Sequence, residues 1–132
     1  MVHTEFAADL PAVLGDRVQL QQVMLNLILN AIEAMSKVSG RPRVLSIKSA
    51  RQGQDVEIHV QDSGIGLKPE ELERIFDPFV TTKAEGIGMG LSISRSIVAA
   101  HGGRLWARSG LPHGARFELR LPAQRASDER VA

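Results

Sequence analysis

Apolar residues recur at helical spacing between positions 16 and 38, at Leu20, Val23, Met24, Leu27, Ile28, Ala31 and Met35, with Asp16 ahead of them as a good N-cap. The pattern predicts a helix roughly 30 Å long at about 1.5 Å per residue. Gln19, Gln22, Asn26, Asn30, Glu33 and Lys37 form a single polar stripe on it, and nearly every other position from Leu20 to Met35 is apolar or alanine. A helix apolar on most sides is expected to be buried on most sides, so that the stripe faces solvent or a polar cavity.

The period then switches from helical to two. Residues 44–50 and 56–62 read as strands, with Val56, Ile58 and Val60 on one face, Glu57, His59 and Gln61 on the other, and a hairpin turn around Gly53. Residues 69–74 predict a brief helix with proline in its first turn, and Phe76-Asp77-Pro78-Phe79 interrupts the regularity. A second helical pattern over residues 91–100 is stopped by His101-Gly102-Gly103, and residues 104–109 and 115–121 read as two final strands. The order of these elements predicts an α+β two-layer sandwich: a mixed, mainly antiparallel sheet with helices on one face.

The chain has 132 residues, which fits one domain, and we place it at residues 1–123 with a polar tail at 124–132. The absence of cysteine excludes disulfides, thiolate zinc sites and cysteine nucleophiles. Sixteen Lys and Arg against fifteen Asp and Glu leave a net charge of +1, far from the cationic excess of a nucleic-acid binder. No apolar run approaches the ~20 residues of a membrane span, and the first residues lack the basic start and apolar stretch of a secretory signal. The expectation is therefore a cytoplasmic domain that contacts neither nucleic acid nor membrane.

Three segments carry candidate chemistry. Asn26 and Asn30 stand four apart and share one helix face. Two neutral amides there suit a magnesium or phosphate site, where carbonyl oxygen meets a hard cation; the plainer reading is a solvated edge. Asp62-Ser63-Gly64-Ile65-Gly66-Leu67 follows an alternating strand, so a fixed carboxylate and exposed N–H groups leave the strand's end in a tight turn. Such an acceptor suits an exocyclic amine like that of adenine, although Asp-x-Gly is also a common turn. Gly86-Ile87-Gly88-Met89-Gly90-Leu91 precedes a helix, where bare backbone lets anionic oxygens approach N–H groups at the positive end of the helix dipole. Its glycines fall at every second residue, unlike the Rossmann fingerprint, and no Gly-Lys-Ser/Thr of a Walker loop occurs. A flexible surface loop is the alternative.

Taken in order, the segments Asn26 to Asn30, Asp62 to Gly66, Phe76-Asp77-Pro78-Phe79 and Gly86 to Leu91 resemble the N, G1, F and G2 boxes of the catalytic, ATP-binding domain of sensor histidine kinases. That domain has the Bergerat-type fold shared with DNA gyrase, the heat-shock chaperone ATPase and MutL. The resemblance runs from about Phe6 to Pro122. The wording Asn-Ala-Ile-Glu-Ala-Met and Phe-Asp-Pro-Phe-Val-Thr-Thr-Lys is most similar to kinases of nitrogen regulation and oxygen sensing.

The resemblance implies ATP and Mg²⁺ as cofactors. It makes Asn30 the metal ligand and places Asn26 beside the phosphates. Asp62 would accept from the adenine amine, with Gly64 and Gly66 letting the base lie against the backbone. Gly86, Gly88 and Gly90, leading into Leu91, would wrap the phosphates, and Lys83 is a candidate for the γ-phosphate. Phe76 and Phe79 are expected to pack the lid and meet a helical partner domain, or else to be plain core. In the gyrase-like ATPases the residue at the position of Asn26 is a glutamate that activates water. An amide cannot accept a proton at neutral pH, so phosphoryl transfer to an external nucleophile is the better reading. None of His3, His59, His101 or His113 has the setting of a phosphoacceptor. The implied partners are a dimerising histidine phosphotransfer domain of the same kinase and, through it, a response regulator. The alternatives are a nucleotide-binding regulatory module without transfer and a gyrase-type ATPase.

Overall fold

Asp16 caps the first long helix through its side chain: Oδ1 accepts from the Gln19 N–H at 3.0 Å. That helix, α1 (Arg17–Ser36), turns Val23, Leu27, Ala31 and Met35 inward at i, i+4, i+8 and i+12. These residues pack against a five-stranded sheet. Its strands are β1 (Val2–Phe6), β2 (Leu45–Gln52), β3 (Asp55–Gln61), β4 (Arg104–Ser109) and β5 (Ala115–Pro122). Their spatial order is β1-β2-β3-β5-β4, with β1 parallel to β2 and every other pair antiparallel. Two further helices, α2 (Pro69–Leu72) and α3 (Gly90–Ala100), complete the described elements, and α3 lies against α1 and β4. The result is the two-layer α+β sandwich with a mixed, mainly antiparallel sheet. The structure is a computed structural model and describes residues 1–8, 10, 12–13, 15–72, 74–77, 90–110 and 113–123.

The core lies between the layers. Leu27, Val98, Val60, Phe117 and Leu105 are almost wholly buried, each contributing about 2 kcal/mol by leaving water. Phe76 is core as well. It meets Phe117 edge to face at 6.1 Å between ring centroids, and the Arg95 guanidinium sits 4.6 Å above its ring. It therefore faces the interior instead of a partner domain. Phe79, Lys83, Gly86, Gly88 and the 124–132 tail lie outside the described residues.

The structure differs from the sequence pattern in two places. Residues 2–6, where the pattern predicts no element, form β1, whose parallel pairing to β2 matches Val2 with Leu45 and Phe6 with Ser49. All five of its residues are exposed, so it carries no burial signal of its own. The second is a correction to α1, which is not buried on most sides. Val18, Leu25, Leu29 and Ile32 are about half exposed or more. In a two-layer sandwich only one face of the helix meets the sheet, and the apolar stripe opposite has no layer above it among the described residues. No helix among the described residues is long and apolar enough to cross a membrane.

Candidate functional site

The turn after β3 lies against α1 at Ala34, on the helix face that also carries Asn26 and Asn30. The ladder continues one residue past β3, where the Asp62 N–H donates to Ala115 O at 3.0 Å. The chain then turns with the Asp62 side chain inside: Oδ1 accepts from the Gly64 N–H at 2.8 Å and from the Ala115 N–H at 3.3 Å. Asp62 is 2% exposed, and its second carboxylate oxygen has no partner among the described residues. Burial pushes this carboxyl above the usual aspartate range, against the opposing pull of the two N–H groups. An added donor at the open oxygen would stabilise the charged form.

Two glycines allow this placement. A Cβ on Gly64 would stand 2.6 Å from the Ala34 carbonyl, so the turn lies directly on the α1 backbone. Gly114 has φ +82°, and a Cβ there would run into the Asp62 carbonyl. The turn is also clamped from outside. Arg41 Nη2 donates to Gly64 O at 2.8 Å and to Ser63 O at 3.2 Å, while Ser63 Oγ donates to Pro42 O and accepts from the Val44 N–H at 2.8 Å.

Along α1, Asn26, Asn30 and Ala34 occur at i, i+4 and i+8, and so share a face at about 6 Å intervals. The Ala34 end touches the Asp62 turn, and the Asn26 end touches α3, where Asn26 Nδ2 donates to Gly90 O at 3.2 Å. Asn30 stands between them, half-buried, its amide making no hydrogen bond among the described residues. The two asparagines thus differ sharply, because Asn26 is held on every side. Its Nδ2 also donates to Ser94 Oγ at 3.0 Å, and its Oδ1 accepts from Gln22 Nε2 at 2.8 Å.

The structure therefore brings Asn26, Asn30, Asp62, Gly64 and Gly90 around one region, with Gly66 in the same turn, where it approaches Gly114, and Leu91 beginning α3 against the core. The free amide of Asn30 offers a neutral oxygen suited to a hard cation, and the open oxygen of Asp62 suits an amine donor. These two groups fit Mg²⁺ and an adenine nucleotide. Sequence reasoning did not single out Arg41 or Ser94. Neither sits in a glycine or carboxylate motif, so no local signal marked them.

The chain is similar to known proteins. Residues 15–125 match the family described as histidine kinase-, DNA gyrase B-, and HSP90-like ATPase. The sensor protein FixL of Bradyrhizobium diazoefficiens is 48% identical over 116 residues, covering 88% of this chain and 22% of that protein. The nucleotide-free catalytic domain of the histidine kinase ThkA superposes with a TM-score of 0.78 at 35% identity, covering 94% of this chain and 82% of that one. Full-length ShkA, crystallised in complex with AMPPNP, gives a TM-score of 0.78 at 30% identity, covering 95% of this chain and 26% of that one. The chain thus spans less than a quarter of the length of FixL.

Proposed function

Because the chain belongs to the family of histidine kinase-, DNA gyrase B- and HSP90-like ATPases, we propose that it is the catalytic domain of a sensor histidine kinase, binding Mg²⁺-ATP along the Asn26–Asn30 face of α1 and the Asp62 turn. The observation that carries this reading is the placement of two open polar groups on elements that touch. The Asp62 turn lies on Ala34, one helical turn from Asn30, and the free oxygen of Asp62 and the free amide of Asn30 both lack protein partners among the described residues. Asp62 accepts from the adenine amine and fixes the base. Asn30 holds the metal, which when bound neutralises charge on the phosphates. Gly86, Gly88 and Gly90 wrap the phosphates, Leu91 seats the helix that follows them, Lys83 neutralises the γ-phosphate, and Phe79 packs the lid.

The chemistry is transfer and not hydrolysis. At Asn26, Nδ2 donates to Gly90 O and Ser94 Oγ on α3 and Oδ1 accepts from Gln22 Nε2, so this side chain has no basic atom to offer a water. A histidine nitrogen on a separate dimerising phosphoacceptor domain of the same kinase attacks the γ-phosphorus. The bond from that phosphorus to the bridging oxygen breaks, and ADP leaves. The phosphoryl group then passes to a response regulator. A domain that uses ATP in this way acts in the cytoplasm.

The test is transfer of radiolabelled γ-phosphate from ATP to a matching phosphoacceptor fragment with Mg²⁺ present. Asn30→Ala is expected to lower the rate by about 100-fold or more, in line with the loss of several kcal/mol of charge stabilisation. Transfer that survives this substitution would overturn the assignment.

A further inference from the structure

The network that holds Asn26 converges on a buried serine. Ser94, in the second turn of α3, is fully buried; its Oγ donates to Gly90 O at 2.8 Å and accepts from Asn26 Nδ2 at 3.0 Å. Gly90 O also accepts from Asn26 Nδ2 at 3.2 Å, and Gln22 closes the far side by donating to Asn26 Oδ1. A carbonyl oxygen can only accept, so the amide nitrogen of Asn26 must face α3, and both of its hydrogens are used. A serine hydroxyl bonding back to the carbonyl four residues earlier is ordinary within a helix. Here the same carbonyl and the same hydroxyl are also gripped from a second helix. A buried hydroxyl costs free energy unless its bonds are made; here Ser94 donates within α3 and accepts from Asn26 across the α1–α3 junction.

We propose that Ser94 is a positioning residue for the polyphosphate end of the site. With Asn26 and Gly90 it locks the first turn of α3 to α1, one helical turn from Asn30. The inference rests on the Mg²⁺-ATP reading above. The N–H groups of a helix's first turn have no intrahelical partners and are where phosphate oxygens dock, so the lock fixes the distance between those donors and the metal ligand. The adenine end is built separately, on the Asp62 turn, Ala115 and Arg41, and shares no bond with this network. Val98 holds α3 on the core, so loss of the hydroxyl shifts the junction without releasing the helix.

The experiment is calorimetric titration of the 132-residue chain with Mg²⁺-ATP and with adenosine, for the wild type, Ser94→Ala, Asn26→Ala and the double variant. Ser94→Ala is expected to weaken Mg²⁺-ATP binding by about fivefold, the worth of one net hydrogen bond, and to leave adenosine within about twofold. In the Asn26→Ala background the same substitution is expected to change Mg²⁺-ATP affinity by less than about twofold, because its route to the ligand is already gone. Gln22→Ala, at the exposed end of the network, should give a smaller loss with the same ligand preference, and it decides the matter if Ser94→Ala does not fold. Equal losses for both ligands, full additivity with Asn26→Ala, or an unchanged Mg²⁺-ATP affinity would overturn the role of Ser94. A wild-type chain that binds neither ligand would instead overturn the ATP reading itself.

Discussion

Glu57 and Asp62 are five residues apart on the same run of chain, and both carboxylates are nearly out of reach of solvent, at 6% and 2% exposure. Their surroundings differ in one respect. Glu57 lies on the outer face of the sheet, where Oε2 accepts from Arg120 Nη2 at 2.7 Å and Nε at 3.1 Å, and Oε1 meets His59 Nε2 at 2.5 Å. Asp62 faces the helices, with two backbone N–H groups on one oxygen and nothing on the other among the described residues. Burial pushes both carboxyls up. At Glu57 the hydrogen bonds and charges of Arg120 and His59 outweigh it and hold the group below the usual range, whereas at Asp62 the two N–H groups do not, and the group stays above it. Depth alone therefore does not set the direction in which a buried carboxyl shifts. The decisive feature is an acceptor left open, and the same contrast separates Asn26 from Asn30 on α1.

The largest expected break of this comparison is Asp62→Asn. Asparagine keeps an oxygen for the Gly64 and Ala115 N–H groups but puts an amino group where the open carboxylate oxygen stood. Mg²⁺-ATP affinity is expected to fall about 100-fold, the scale of a lost charge-assisted hydrogen bond. The melting temperature at neutral pH should hold or rise, because a buried charge has been removed. A lower melting temperature with retained binding would make Asp62 a structural group like Glu57. Glu57→Gln is the mirror experiment. It leaves Arg120 without its carboxylate, although Arg120 is still open to water, and should cost about 1 kcal/mol of stability while nucleotide affinity stays within about twofold.

Acid sharpens the same contrast. The folded-state pKa of Asp62 is raised, so it takes up a proton at a pH above the ordinary aspartate range, and on the proposed reading the adenine amine would lose its acceptor there. The folded-state pKa of Glu57 is lowered. Its contribution to stability is complete above the glutamate value of the unfolded chain and is lost only as pH falls through the lower folded value. Titrations and melts from about pH 7.5 to about pH 3 should show binding failing first and stability later. The reverse order would remove the distinction between the two groups.

The difference was only partly legible in the sequence. Helix and strand periods placed α1, α3 and β2 to β5 because those signals are local, and Asp62 stood out as a carboxylate entering a glycine turn. β1 was not legible: five exposed residues carry little pattern, and their pairing with residues 45–49 is set by the assembled sheet. The apolar letters of Leu25, Leu29 and Ile32 indicate what would favour burial but not whether a layer exists to cover them. Asn26 and Asn30 look alike as letters. Only the arrival of α3 at one of them, through Gly90 and Ser94, shows which amide is tied and which is free. Arg41 acts on carbonyls that any sequence would supply, so its role arises from the fold alone.

The smallest predicted effect is a control for the lesson itself. Lys48 Nζ and Glu5 Oε2 are 3.6 Å apart on the same outer sheet face, where Lys48 stands in register with His59, but their side chains are 57% and 77% exposed. If pairing alone made a carboxylate structural, Lys48→Ala would resemble Glu57→Gln. Water already solvates both ends of this pair, and holding two long side chains together offsets much of the attraction. Lys48→Ala should change stability by less than about 0.5 kcal/mol, and the difference should shrink further in high salt. A larger, salt-resistant loss in denaturant melts would mean that pairing on this face matters without burial, and the contrast between Glu57 and Asp62 would then have to be attributed to the sheet and not to the partners each carboxylate has.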